Sequence, residues 1–284
     1  MTIRDFATTL AAALAPLYPE TEATAIAALV AEHLLHLDPL QRRMRALEPV
    51  PAAIKSQLPA LLTRLLAHEP VQYVLGVAHF AGMELEVTPA TLIPRSETEE
   101  LMRLVVQEQV TRRGLRILDV GTGSGCLALG LARALPGADV LAVDISPEAL
   151  AVARRNALRY APQVLFQQVD ILRDAPAGLA SGTLDVLVSN PPYVRESERP
   201  LMRANVLAWE PATALFVPDH DPLLFYRRLV ALGAELLRPG GSIYLEINEA
   251  LGPETAALLP EQGFSAVRIE ADMFGRPRMV RGTR

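Results

Sequence analysis

One cysteine, Cys126, stands in 284 residues, so no intramolecular disulfide can form and a reducing compartment, the cytoplasm, is expected. No apolar run is long enough to cross a bilayer. The five histidines are scattered, with no partner cysteine and no H-E-x-x-H pattern, which leaves no metal site to name. His33 and His36 read as surface or partly packed helical side chains. Positive charge is not in excess: the formal net charge of −5 argues against a protein that coats nucleic acid. Arg268, Arg276, Arg278, Arg281 and Arg284 gather late in the chain and read as a solvated face. Internal repeats and low-complexity tracts are lacking too. Residues 1–15 are alanine-rich with one Arg, as in a secretory leader, but Asp5 and the Thr8-Thr9 pair interrupt them. Phe6, Leu10 and Leu14 recur as on one helix face, and Thr2 with Asp5 reads as a capping box.

What is present is a balance of 50% hydrophobic and 21% charged residues, that of a globular and not a disordered chain. The length predicts one large domain and a smaller companion. Residues 1–70 read as a small helical bundle, with Ile54, Leu58, Leu61, Leu62, Leu65 and Leu66 at the spacing of a buried stripe. Asp38-Pro39 and Val50-Pro51 mark helix starts. Residues 71–95 read as a hairpin-like connector, in which Met83 to Val87 alternate as a half-buried strand does. From residue 96 to 284, helical and short apolar segments alternate, the signature of an α/β domain with a parallel sheet flanked by helices. Seven strands are expected, at residues 116–120, 139–144, 164–170, 184–189, 242–248, 265–270 and 278–281. A helix from Asp221-Pro222 to Arg238-Pro239-Gly240-Gly241 should feed the fifth, and the long loop of residues 190–220 before it should shape a substrate site.

The residues Gly121-Thr122-Gly123-Ser124-Gly125 follow a strand and precede a helix. Such a turn lets a ligand approach the backbone, or is simply a tight connection. The dinucleotide fingerprint needs its third glycine where Cys126 stands, which weakens a nicotinamide reading. S-adenosylmethionine has no pyrophosphate, and its amino-acid part can lie over the glycines. Asp144 ends the next strand, where a carboxylate accepts from both ribose hydroxyls. Asp170 ends the third; it either accepts from an adenine amino group, with Ile171 on the ring, or serves as a turn residue. Cys126 reads as a small packing residue.

Asn190-Pro191-Pro192-Tyr193 is the most informative stretch. The prolines stiffen the backbone and lack N–H groups, so their carbonyls stay available as acceptors. With the Asn190 carbonyl they can hold both hydrogens of an NH2 group, while the Tyr193 ring packs on a flat acceptor. An amide or adenine amino nitrogen is a poor nucleophile because its lone pair is delocalised. Holding both N–H bonds favours a pyramidal nitrogen aimed at a methyl donor without a general base. A rigid turn is the plain alternative.

With these motifs, His68 to Gly76, Leu92 to Glu99, Glu210-Pro211 and Gly275 to Arg278, the chain resembles the HemK family, the release factor glutamine methyltransferases, over nearly its whole length. The resemblance implies a seven-stranded Rossmann-like S-adenosylmethionine-dependent methyltransferase sheet and an N-terminal bundle that helps engage the release factor. It implies methylation of the glutamine in the factor's Gly-Gly-Gln loop. Gly121 to Gly125, Asp144, Ile171 and Asn190 would then contact the cofactor, and Asn190 to Tyr193 the glutamine. Ser96 replaces a proline common in the family, and residues 246–249 lack a glutamine often seen there. A ribosomal-protein glutamine or an adenine N6 amino group is the alternative acceptor; adenine in DNA would need base flipping.

Overall fold

The computed structural model describes residues 1–284. It divides into two compact units, Met1–Val77 with Arg203–Trp209, and Ala78–Met202 with Glu210–Arg284. No helix is long and apolar enough to cross a membrane.

The first unit holds α1 (Ile3–Leu14), α2 (Glu20–Leu35), α3 (Pro39–Met44), α4 (Ala52–Lys55), α5 (Leu58–Leu66) and α6 (Val71–Leu75). Thr2 and Asp5 form the capping box of α1, and Phe6, Leu10 and Leu14 are buried on its inner face. Asp38 and Gln41 cap α3 in the same way, with Pro39 at its first position. The bundle runs past the expected boundary at residue 70, and residues 71–75 are helix and not hairpin. Val71 and Val74 are buried in the bundle core, and the Arg64 guanidinium reaches the Tyr73 and Val74 carbonyls while pairing with Glu69. The segment Arg203–Trp209 also belongs here: Arg203 pairs with Glu22, and the Trp209 indole N–H donates to the Ala67 carbonyl at 3.3 Å.

The second unit opens with the hairpin β1 (Val77–Phe80) and β2 (Met83–Glu86). Ala81 and Gly82 both take positive φ in its two-residue turn. There follow α7 (Ser96–Gln109), β3 (Arg116–Val120), α8 (Cys126–Ala134), β4 (Asp139–Asp144), α9 (Pro147–Tyr160), β5 (Leu165–Gln168) and β6 (Leu184–Ser189). The long segment after β6 carries β7 (Val194–Arg195), a 3-10 turn, α10 (Ala204–Trp209), α11 (Ala212–Leu215) and β8 (Phe216–Val217). The chain closes with α12 (Leu224–Leu236), β9 (Leu237–Glu246), α13 (Gly252–Glu261), β10 (Ser265–Ala271) and β11 (Pro277–Thr283).

Seven strands form one sheet in the order β10-β11-β9-β6-β3-β4-β5. The expected all-parallel sheet is corrected at one strand, because β11 runs antiparallel to both neighbours. Only residues 272–276 join β10 to β11, too few for a crossover, and Asp272 Oδ1 closes that turn on the Phe274 and Arg276 N–H groups. Side chains alternate between two cores. Ile117, Val186 and Val188 face α7 and α8 on one side, while Leu118, Leu187 and Ile243 face α12 and α13 on the other.

Two boundaries also move. Arg238 to Gly241 do not end α12 but open β9, where the Gly240 N–H donates to the Arg284 carbonyl and the Arg284 N–H to the Gly241 carbonyl, both at 2.8 Å. The third expected strand, 164–170, stops at Gln168, since the Asp170 carbonyl already turns onto the Arg173 and Asp174 N–H groups. The late arginines are only partly a solvated face. Arg278 and Arg281 are 14% exposed and pair with Asp272 and Glu249, and with Glu108 and Glu270.

Candidate active site

In chain order β3 is followed by β4 on one flank, whereas β6 lies on the other. The connections therefore diverge at the carboxyl ends of β3 and β6, which is where open α/β sheets leave a ligand crevice. A cavity of about 660 Å³ lies there, within the size range of small-molecule sites. Its wall includes Gly121 to Ser124, Asp144, Asp170, Ile171 and Asn190 to Pro192.

The turn after β3 is held from beneath. Gly121 has φ 74°, left-handed backbone that a side chain resists, and a Cβ there would lie 3.8 Å from the Asn190 carbonyl oxygen. Gly125 has φ 85° and packs where a Cβ would press on Ala153 and Leu129 at 3.3 Å, so it lets α8 sit close to α9 and forms no part of the cavity wall. Thr122 and Ser124 are buried, and both line the cavity. Thr122 Oγ1 donates to Asp119 Oδ2 at 2.7 Å, and the Ala128 N–H donates to the same oxygen at 3.2 Å. Asp119 thus ties the turn to the start of α8. Burial pushes its carboxyl up to about 7. Asn156 braces the turn from α9, donating to the Ser124 carbonyl and to the Glu86 carbonyl of the hairpin, both at 3.0 Å. Neither residue stood out in the sequence, although a carboxylate inside the apolar run Ile117 to Val120 was a usable signal.

Asp144 at the end of β4 accepts from the Gly123 N–H at 2.8 Å through Oδ2 and from the Ser146 N–H at 2.9 Å through Oδ1. Each oxygen keeps a lone pair for a ligand hydroxyl. Burial raises its pKa, against the lowering effect of these N–H bonds. Asp170 lines the cavity and is also a turn residue: Oδ1 accepts from the Leu172 N–H at 3.1 Å and Oδ2 pairs with Arg173 at 3.2 Å. Ile171 is buried in the core, with one edge on the cavity. Cys126 also reaches the cavity wall, and burial pushes its thiol up to about 12, so it is a neutral packing group and not a nucleophile.

Asn190 leaves β6 with its side-chain nitrogen committed. Nδ2 donates to Thr98 Oγ1 at 2.9 Å, and Oδ1 accepts nothing from the protein. The Pro191 and Pro192 carbonyls are likewise without a protein donor, and both residues line the cavity. Tyr193 lies outside that wall. Its ring packs on the core, its hydroxyl donates to Glu246 Oε1 at 3.2 Å, and its carbonyl accepts from Asn248 Nδ2 at 3.2 Å. Thr98 Oγ1 in turn donates to Glu246 Oε2 at 2.6 Å. Glu246 is 1% exposed, and burial pushes it up to about 7 despite these donors. Arg95, which lines the cavity, forms an ion pair with buried Glu210, whose other oxygen accepts from the Ile93 N–H at 3.2 Å. That pair ties the segments 92–99 and 210–211 together beside the cavity, whose wall includes Arg95 and Pro211.

Residues 97–214 match the family model described as methyltransferase small domain, and residues 7–76 match the PrmC N-terminal domain. The chain is 38% identical over 287 residues to the release factor glutamine methyltransferase of Flavobacterium psychrophilum, covering 99% of each. Among solved structures, a methyltransferase from Pyrococcus furiosus has a TM-score of 0.50 at 21% identity, covering 81% of this chain and 98% of that one, a likeness of fold alone. The release factor glutamine methyltransferase of Bacteroides thetaiotaomicron is 44% identical over 271 residues, 95% of this chain and 96% of that one. Identity at that level, sustained almost end to end in both chains, means that this chain belongs to the release factor glutamine methyltransferase family.

Proposed function

We propose that the chain methylates the side-chain amide nitrogen of the glutamine in the Gly-Gly-Gln motif of peptide chain release factors, using S-adenosylmethionine. The observation that carries this reading is the committed Asn190 side chain: with Nδ2 bonded to Thr98, its Oδ1 remains as an acceptor beside the unpartnered Pro191 carbonyl. Two fixed acceptors suit the two hydrogens of a carboxamide NH2 and draw its lone pair out of conjugation.

The cavity fits the cofactor by its donor set. Asp144 retains lone pairs for two ribose hydroxyls, the Gly121 to Gly123 backbone offers close approach for an amino-acid moiety, and Asp170 with Ile171 offers an acceptor and an apolar edge for adenine. When bound, the cofactor supplies an electrophilic methyl group on a sulfonium. The residues of this chain orient the amide nitrogen towards that methyl, and one amide proton leaves to solvent. No thiolate or metal takes part in this scheme, and Cys126 stays neutral.

The bundle of the first unit, with no chemistry of its own in this scheme, serves recognition of the release factor. Such a substrate and the lone Cys126 fit a cytoplasmic enzyme. The test is mass spectrometry of a purified release factor incubated with the protein and S-adenosylmethionine. A single methyl group on the Gly-Gly-Gln glutamine is expected. Methylation of DNA or of a ribosomal protein in parallel incubations, with none on the factor, would replace this reading by its alternative.

A further inference from the structure

An asparagine amide can present either its oxygen or its NH2 to a ligand by turning over, and only the oxygen can hold a substrate NH2. Presenting the wrong end sets donor against donor. Something must therefore bias the turn, and the bias lies in two residues far from the Asn190 motif in the chain. We propose that Thr98 and Glu246 are positioning residues that fix the Asn190 amide with Oδ1 towards the substrate, an inference that rests on the reading of Asn190 as the holder of the glutamine amide.

Thr98 has one hydroxyl hydrogen, and it is spent on Glu246 Oε2 at 2.6 Å. Its oxygen can then only accept, and it accepts from Asn190 Nδ2 at 2.9 Å. With Glu246 ionised, the form that prevails above its raised pKa of about 7, the chain of bonds runs in one direction, from Asn190 through Thr98 to a carboxylate that only accepts. The other oxygen of that carboxylate takes the Tyr193 hydroxyl at 3.2 Å. One carboxylate thus secures both ends of the Asn190-Pro191-Pro192-Tyr193 segment. Its own place is fixed by the sheet: Ser189, just before the motif on β6, lies in register with Leu245 on β9, just before Glu246. Glu246 is 1% exposed and lies outside the cavity wall, so water cannot replace its carboxylate without opening the core, whereas Thr98, also buried, touches the cavity beside Asn190.

The experiment is a single-turnover methyl-transfer measurement with purified release factor and labelled S-adenosylmethionine, on the wild-type chain and on Thr98→Val, Thr98→Ser, Glu246→Gln, Asn190→Ala and the double variant Thr98→Val with Asn190→Ala. Thr98→Val keeps the shape but removes the donor and the acceptor. It should slow methyl transfer about 10-fold or more while cofactor affinity by calorimetry changes no more than about 2-fold. Thr98→Ser should restore most of the lost rate. In the Asn190→Ala background Thr98→Val should cost nothing further, because there is no amide left to orient. Should Thr98→Val not fold, Glu246→Gln carries the same test: its amide can donate as well as accept, so the rate should fall in the wild-type background and not in Asn190→Ala. Additive losses in the double variant, or a rate unchanged by Thr98→Val, would overturn the inference alone. A wild-type chain inactive on the factor would overturn the proposed function, and this inference with it.

Discussion

The Gly123 N–H donates to Asp144 Oδ2 at 2.8 Å, so the acidic end of β4 and the glycine turn after β3 are one hydrogen-bonded unit. Asp144→Ala therefore removes more than two acceptors for ribose: it also frees Gly123 and Ser146. Cofactor affinity should fall by about 10-fold or more, with a smaller loss of rate at saturating cofactor, because the bonds are made in ground and transition states alike. Asp144→Asn should be little better, since one face of its amide would set NH2 against a backbone N–H. Calorimetric titration decides; unchanged affinity in Asp144→Ala would remove this residue from the site.

Glu246 gives the stability a defined pH dependence. Burial raises its pKa from 4.5 to about 7, with Glu97 adding to the shift and Thr98, Tyr193 and Arg278 opposing it. A folded pKa above the unfolded one means that the folded state holds the proton more tightly. The stabilisation is complete below pH 4.5 and is lost as pH rises to about 7. Glu246→Gln cannot ionise, so it should gain on the wild type across that window by up to about 3 kcal/mol and hold the gain at higher pH. Denaturant midpoints at pH 5, 6, 7 and 8, as about four points across the window, test this; parallel wild-type and variant curves would contradict it. A variant more stable yet slower in methyl transfer would fit a site that gives up stability for geometry.

The candidate residues that fall in short local motifs were legible in the sequence. Gly121 to Ser124, Asp144 and Asn190 to Pro192 each follow a strand whose apolar run marks it clearly, and the sheet order brings those strand ends to one crevice, while Gly125 and Tyr193, named with them, lie outside the cavity wall. The residues that brace them were not legible, because their partners lie far away in the chain. Thr98 and Glu246 meet across 148 positions, and Asn156 reaches the hairpin across 70. No periodicity encodes such pairs. A signal did exist in Glu246, a carboxylate directly after the apolar run Ile243 to Leu245 at the carboxyl end of a strand. Pattern also failed where glycine and proline sit inside a strand, as in Arg238 to Gly241, since these residues punctuate most chains but here begin β9 as its pairing with the C-terminal strand forms.

Deleting residues 1–70 tests the recognition role of the first unit. The remaining chain, where folded, should bind cofactor nearly as well as the full chain, because every residue of the cavity wall belongs to the second unit. Methylation of a whole release factor should fall sharply. The cut also removes Glu22 and Ala67, the partners of Arg203 and Trp209, so the segment of residues 203–209 should become sensitive to protease. A folded truncation that methylated the factor at the full rate would exclude the bundle from recognition.

Asn190 and Tyr193 separate two contributions within one short motif. Asn190→Ala removes the side-chain acceptor and leaves the Pro191 and Pro192 backbone in place, so kcat should fall by about 10²-fold or more. Cofactor affinity should fall less, since Asn190 only borders that part of the cavity. Tyr193 was expected to act through its ring, on which Tyr193→Ala would bear hardest, with Tyr193→Phe milder. The hydroxyl has its own task, because it donates to Glu246 Oε1 inside the core. Tyr193→Phe should leave that oxygen short of a partner and cost about 1–3 kcal/mol of stability. Its loss of rate should stay below that of Asn190→Ala, since Thr98 still holds the amide. Single-turnover rates and melting curves on the same preparations distinguish these effects. If Asn190→Ala bound cofactor and release factor normally and kept a near-normal rate, the side chain would not be holding the glutamine amide, and methyl transfer would have to rely on the proline carbonyls alone.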